Sequence, residues 1–132
     1  MNNQNSEQKI MELDSSQKFI EILESDLCKN KLMVVDFFAP WCGPCLKLGD
    51  FLHELLEGNT AKQFSNTIFF KVNIDNDDCQ QLVERFDISS IPRLLMFKNK
   101  SVVCDLTGFN PKQLLEKLNK HQPKTNHNSN TK

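Results

Sequence analysis

The 132-residue sequence carries almost no net charge, −1 from sixteen Lys and Arg against seventeen Asp and Glu. That balance gives no electrostatic reason to expect nucleic acid or an anionic membrane as partner. No apolar run approaches the ~20 residues needed to cross a bilayer. The first residues, Met1-Asn2-Asn3-Gln4-Asn5-Ser6, lack the basic-then-apolar layout of a secretory signal. No internal repeat is visible. No second Cys-x-x-Cys accompanies the one at 42–45, and His53, His121 and His127 are scattered, which leaves zinc short of its usual four ligands. Five cysteines, an odd count without a signal layout, point to thiols in a reducing compartment rather than a disulfide framework. The expected location is the cytoplasm.

What is present suits one soluble domain with a single core. Residues 1–7 and 122–132 are polar and Asn-rich and read as disordered tails around a domain over 8–121. Lys9 to Leu13 reads as a short edge strand. Ser15 or Asp14 then caps a helix with Phe19, Ile20, Leu23 and Leu27 at helical spacing. Leu32 to Ala39 is apolar on both alternating faces except for Asp36, the pattern of a central strand covered on both sides. A second helix bears Leu48, Phe51, Leu52 and Leu55 and is expected to end near Gly58. Thr67 to Ile74 is the next strand. A helix from Asp77 or Asp78 carries Cys79, Leu82, Val83 and Phe86. Arg93 to Phe97 and Val102 to Leu106 form a hairpin, and Asn110-Pro111-Lys112-Gln113 opens a last helix with an N-cap and a first-turn proline. Alternating strands and helices followed by a hairpin imply an α/β fold with a mixed sheet between helices.

The chemistry sits at Trp41-Cys42-Gly43-Pro44-Cys45, where an apolar strand hands over to a helix. The spacing lets two sulfurs meet across one helical turn, and a pair so placed is more often redox-active than structural. Unpaired N–H groups and the macrodipole at the helix start favour a thiolate on the leading cysteine. Gly43 permits a tight entry, and Pro44 fits a turn in which its missing N–H has no partner to lose. Asp36 is expensive to bury charged, so burial is expected to raise its pKa and suit it to accept a proton from Cys45, directly or through water. The plainer alternative is a strand-end carboxylate that finds solvent or a backbone donor. Lys71 is its expected partner unless it is simply an exposed strand lysine. Pro92 is expected to follow a cis peptide bond, uncommon even before proline.

Three features in order resemble the thioredoxin family: Val34 to Ala39 leading into the motif, Lys71-Val72-Asn73-Ile74-Asp75, and Ile91-Pro92 before the hairpin. The match runs from about Lys9 to His121. The resemblance implies a thioredoxin fold, with a central mixed five-stranded sheet flanked by helices on both faces. It implies a protein-disulfide reductase in which Cys42 attacks and Cys45 resolves, closing a redox-active Cys42–Cys45 disulfide, with Asp36 as proton acceptor. Trp41 would shield the reactive sulfur, or else be ordinary packing. Ile91, Pro92 and Gly108 would border the substrate groove, the Ile91 backbone pairing with the substrate peptide; Gly108 reads equally as a turn glycine. No cofactor or metal is expected to be bound. Reducing equivalents would come from NADPH through a flavin-containing thioredoxin reductase. Peroxiredoxins, methionine sulfoxide reductases or ribonucleotide reductase would be acceptors, and the chain would act as a monomer.

The chain departs from that pattern at several places. Leu46 stands where the family usually has Lys, Asp50 replaces a helix-kinking proline, Arg93 replaces Thr after the key proline, and Lys100 replaces a turn glycine. About five extra residues around Gly58 to Lys62 lengthen one connection. Arg93 is expected close enough to the active face to alter partner preference. Cys79 and Cys104 read as small buried hydrophobes, with oxidative regulation the sharper alternative, and Cys28 lies near a helix end. Two other readings of the motif remain: a non-catalytic, redox-gated protein-binding module, and an oxidase or isomerase.

Overall fold

The computed structural model describes residues 9–123. The expected tails, 1–7 and most of 122–132, lie outside the described residues. Five strands form one sheet in the order β1-β3-β2-β4-β5. They are β1 (Met11–Glu12), β2 (Leu32–Phe38), β3 (Thr67–Asn73), β4 (Arg93–Lys98) and β5 (Ser101–Thr107). β1, β3 and β2 run parallel, while β4 and β5 join antiparallel, so the sheet is mixed as expected. β2 lies at its centre, and that is why it is apolar on both faces.

Alternation along β2 divides the core into two layers. Met33, Val35 and Phe37 face α1 (Ser16–Glu24) and α3 (Gln80–Arg85), packing with Phe19, Leu23 and Leu82. Leu32 and Val34 face α2 (Gly43–Leu55) and α4 (Pro111–His121), packing with Leu48, Leu52, Leu114 and Leu118. Asp36 shares the parity of Val34, so it lies on the face that α2 covers.

Local chemistry moved several boundaries. α1 stops at Glu24 because the Ser25 Oγ donates to the Ile22 carbonyl at 2.7 Å and accepts from the Leu27 N–H at 3.1 Å. Leu27, expected on the apolar stripe, therefore falls in a 3₁₀ turn, Asp26–Cys28, and is exposed. α2 ends at Leu55, short of Gly58, which has φ +69° and opens a 3₁₀ helix, Gly58–Phe64. The extra residues thus become ordered chain that inserts the buried Phe64 edge-on against Phe69. Cys79 sits in a 3₁₀ turn, Asp77–Cys79, ahead of α3 rather than on it, but is buried as expected. Cys104 pairs with Met96 and packs against the α2–α4 layer but is only half-buried on the edge strand β5, and a bulge at Val103 pairs Val102 with Phe97 on the opposite face.

Candidate functional site

At the carboxyl end of β2 the chain turns through Ala39, Pro40 and Trp41, with the Cys42 N–H bonded to the Ala39 carbonyl at 3.1 Å. Cys42 keeps extended backbone (φ −92°, ψ 113°) and is the N-cap of α2. Its sulfur does what a serine or aspartate oxygen usually does there: Sγ accepts from the Cys45 N–H at 3.2 Å. The sulfur of Cys42 is therefore held at the positive end of the helix, where negative charge is favoured. Cys42 and Cys45 are joined as a disulfide with Cα atoms 5.2 Å apart. Both are nearly buried, at 5% and 4% exposure, so accessibility alone does not rank them. Position does, because Cys42 caps the helix and Cys45 lies inside its first turn.

Phe38, Ala39, Ile74 and Ile91 pack around the two cysteines. Ile91 arrives from the segment before β4, where the Ile91–Pro92 bond is cis. The Gly108 N–H donates to the Pro92 carbonyl at 2.8 Å. That bond brings the three expected groove residues together. Gly108 has φ +79°, a left-handed conformation that explains glycine there.

Asp36 is 4% exposed and its Oδ1 has no hydrogen-bond partner among the described residues. Burial raises its pKa to about 7, with the charge of Lys71 pulling the other way. The solvated strand-end alternative is thereby removed. Lys71 pairs with Asp36 in register on β3 and is half-buried, not an open surface lysine. Its ammonium lies 5.4 Å from the centroid of the Phe38 ring, a cation–π contact.

Trp41 is 71% exposed, which excludes ordinary core packing. Its indole Nε1 donates to Asp75 Oδ2 at 2.8 Å. Asp75 is the residue the sequence reading missed as a member of the site. The available signal was its place two residues beyond β3, the strand paired in parallel with β2, so that both ends emerge at the same edge.

Arg93 is engaged within the fold. Alternation places its side chain with Leu95 and Phe97, on the face opposite α2. There Nε and Nη2 grip Asp105 Oδ1 and Oδ2 at 2.6 and 2.8 Å, and Nη1 donates to the Asp87 carbonyl at 3.0 Å. The guanidinium is committed to joining β4, β5 and the turn after α3 instead of being presented to a partner. This grip holds the Asp105 carboxyl below its ordinary pKa. Asp105→Asn is expected to cost about 1 kcal/mol of stability at neutral pH, as for a well-oriented but partly solvated ion pair. Urea denaturation checks it, and the deficit should shrink on acidification as the wild-type carboxylate protonates.

Among the described residues, no three His, Cys, Asp or Glu side chains stand together as a metal site. Cys28, Cys79 and Cys104 are free thiols. The site presents two sulfurs, one buried carboxyl and an apolar rim.

Comparison with known proteins agrees with this geometry. The thioredoxin family model matches residues 10–120. Thioredoxin from Homo sapiens is 34% identical over 110 residues, spanning 83% of this chain and 96% of that protein. A peptide-N(4)-(N-acetyl-beta-glucosaminyl)asparagine amidase from Caenorhabditis briggsae is 40% identical over 111 residues, 83% of this chain; the chain spans only 17% of that relative's length. The X-ray structure of Fasciola hepatica thioredoxin superposes with a TM-score of 0.74 at 26% identity, covering 86% of this chain and 100% of that one.

Proposed function

The chain belongs to the thioredoxin family and is a thiol–disulfide oxidoreductase, and from that premise we propose that it reduces protein disulfides, with Cys42 attacking and Cys45 resolving. The Cys42 thiolate attacks one sulfur of a target cystine, forming a mixed disulfide and releasing the other sulfur as a thiolate that takes up a proton. Cys45 then loses its proton to Asp36 and attacks the Cys42 sulfur. The Cys42–Cys45 bond forms, the mixed disulfide breaks, and the second target sulfur departs as a thiolate that takes up the proton held by Asp36. The target gains two electrons and two protons. A flavin-containing thioredoxin reductase returns them at the expense of NADPH.

The observation that carries this reading is the Cys42 sulfur acting as N-cap of α2 while bonded to Cys45. The buried carboxyl of Asp36, ionised about half the time near pH 7, supports its role as proton acceptor. Ile91, Pro92 and Gly108, linked beside the sulfurs, support a groove for an extended target peptide. Lys71 tempers the cost of the Asp36 anion, and Trp41 walls the entrance beside Cys42. Five cysteines, three of them free, support a reducing compartment such as the cytoplasm. Peroxiredoxins, methionine sulfoxide reductases and ribonucleotide reductase are the acceptor classes proposed, with the chain acting as a monomer.

The test couples NADPH oxidation to a disulfide protein through thioredoxin reductase. Turnover is expected to require both Cys42 and Cys45. A wild-type chain that consumes no NADPH, while the Cys42→Ser, Cys45→Ser double variant still retains a partner, would make it a binding module instead.

A further inference from the structure

The first turn of α2 carries a side chain for which exchange chemistry has no use. Leu46 follows Cys45 directly, and its N–H bonds the Cys42 carbonyl at 3.2 Å. Residues four apart share a helix face, and helical side chains lean toward the N-terminus, so Leu46 lies over the turn that begins at Cys42. It is 60% exposed. Trp41, the residue on the other side of Cys42, is 71% exposed and held in place by Asp75. A single exposed leucine needs no explanation. Here two large apolar side chains bracket the sulfur at which a partner's cystine must arrive, so they continue a docking site already required by the chemistry.

The surrounding charges point the same way. Asp50 is exposed one turn beyond Leu46 on the same helix face, and the Asp75 carboxylate lies against Trp41. Lys47, the cation of these first turns, is rotated about 100° around the helix from Leu46. Lys71 is half-buried over Phe38. Among the described residues, a target with acidic residues beside its disulfide would meet the carboxylates of Asp50 and Asp75.

We propose that Leu46 and Trp41 form an apolar rim selecting protein disulfides flanked by apolar side chains over those flanked by acidic ones. This rests on the disulfide-reductase reading and adds the substrate class to it. Covering about 55 Å² of the exposed surface of Leu46 and Trp41 corresponds to a preference of about tenfold.

The experiment compares two cystine-bridged peptides of one scaffold, flanked by Leu and Val or by Glu and Asp, with hydroxyethyl disulfide as a small neutral substrate. The wild type is expected to show about tenfold higher kcat/KM for the apolar peptide. Leu46→Lys is expected to bring that ratio to about two or below, through KM, while both proteins reduce hydroxyethyl disulfide. Any effect of the new ammonium on the Cys42 thiolate cancels in the peptide ratio. Lys matches Leu in helix propensity at this exposed position, so the variant folds. A wild-type ratio near one, or a ratio unchanged in Leu46→Lys, overturns the rim. Failure of the wild type on hydroxyethyl disulfide as well as both peptides would instead overturn the reductase reading, and the rim with it.

Discussion

Replacing Cys45 by serine is expected to turn the protein into a trap: each Cys42 that attacks a target remains bonded to it, and multiple turnover stops. The reason is the size of the proximity term. Lowering a thiol pKa from about 8.5 to about 7, the figure established for thioredoxin rather than one obtained from this chain, raises the thiolate fraction at neutral pH roughly fifteenfold. A Brønsted slope of about 0.45 removes about fivefold in nucleophilicity, leaving a net gain of only about threefold. A positioned internal nucleophile, by contrast, acts at an effective concentration on the order of 10⁵ M. Cys45, one helical turn from Cys42 with Cα atoms 5.2 Å apart, has that advantage over any thiol in solution. Serine keeps the shape and removes the nucleophile. Mass spectrometry of Cys45→Ser incubated with a disulfide peptide should find one peptide per chain, released by dithiothreitol. Cys42→Ser should carry none. Equal labelling of both variants would reverse or abolish the assigned order of attack.

The second large effect concerns Asp36, and it has opposite signs for stability and for activity. The carboxyl ionises near 3.8 when solvated and near 7 in the fold. Below about pH 4 it is protonated in both states and costs nothing extra. Between these values the unfolded chain sheds the proton and the folded one keeps it, so stability falls as pH rises. Above the folded value the full penalty applies, about 4 kcal/mol. Asp36→Asn removes the titration and keeps the shape. Its urea-unfolding free energy, measured with the disulfide intact so that Cys42 and Cys45 do not titrate, should match wild type within about 1 kcal/mol at pH 4 and exceed it by several at pH 8. Parallel pH curves would show that the carboxyl is not desolvated. The same change should slow resolution of the mixed disulfide by about 10²-fold, the lower range for loss of a positioned base. A carboxyl buried at a cost to stability is what the proposed role of Asp36 as proton acceptor predicts.

Much of this was legible along the chain because the signals are local. Asn110 as N-cap followed by Pro111 marked the start of α4, and its Oδ1 accepts from the Gln113 N–H at 3.1 Å. The doubly apolar run of β2 could only be central. The misreadings came where local geometry competed with periodicity: Ser25 ended α1 before Leu27, and the bulge at Val103 broke the alternation that would have put Val102 on the face of Cys104 and Leu106. Lys100 shows the reverse, a residue tolerated at φ +71° while its ammonium reaches Glu24 at 2.8 Å.

By itself the sequence determined that two sulfurs would sit one turn apart at the start of a helix, because N-cap geometry, a first-turn proline and i to i+3 spacing are properties of neighbouring residues. Only the tertiary structure decided what surrounds them. Asp36 became a weak acid because α2 closes over its face of the sheet. Arg93 is tied to Asp105 because strand alternation turned it toward that carboxylate. Leu46 and Trp41 stayed exposed because none of the described residues covers them. Burial and charge pairing depend on which distant segments meet, and desolvation has no counterpart in a list of adjacent residues.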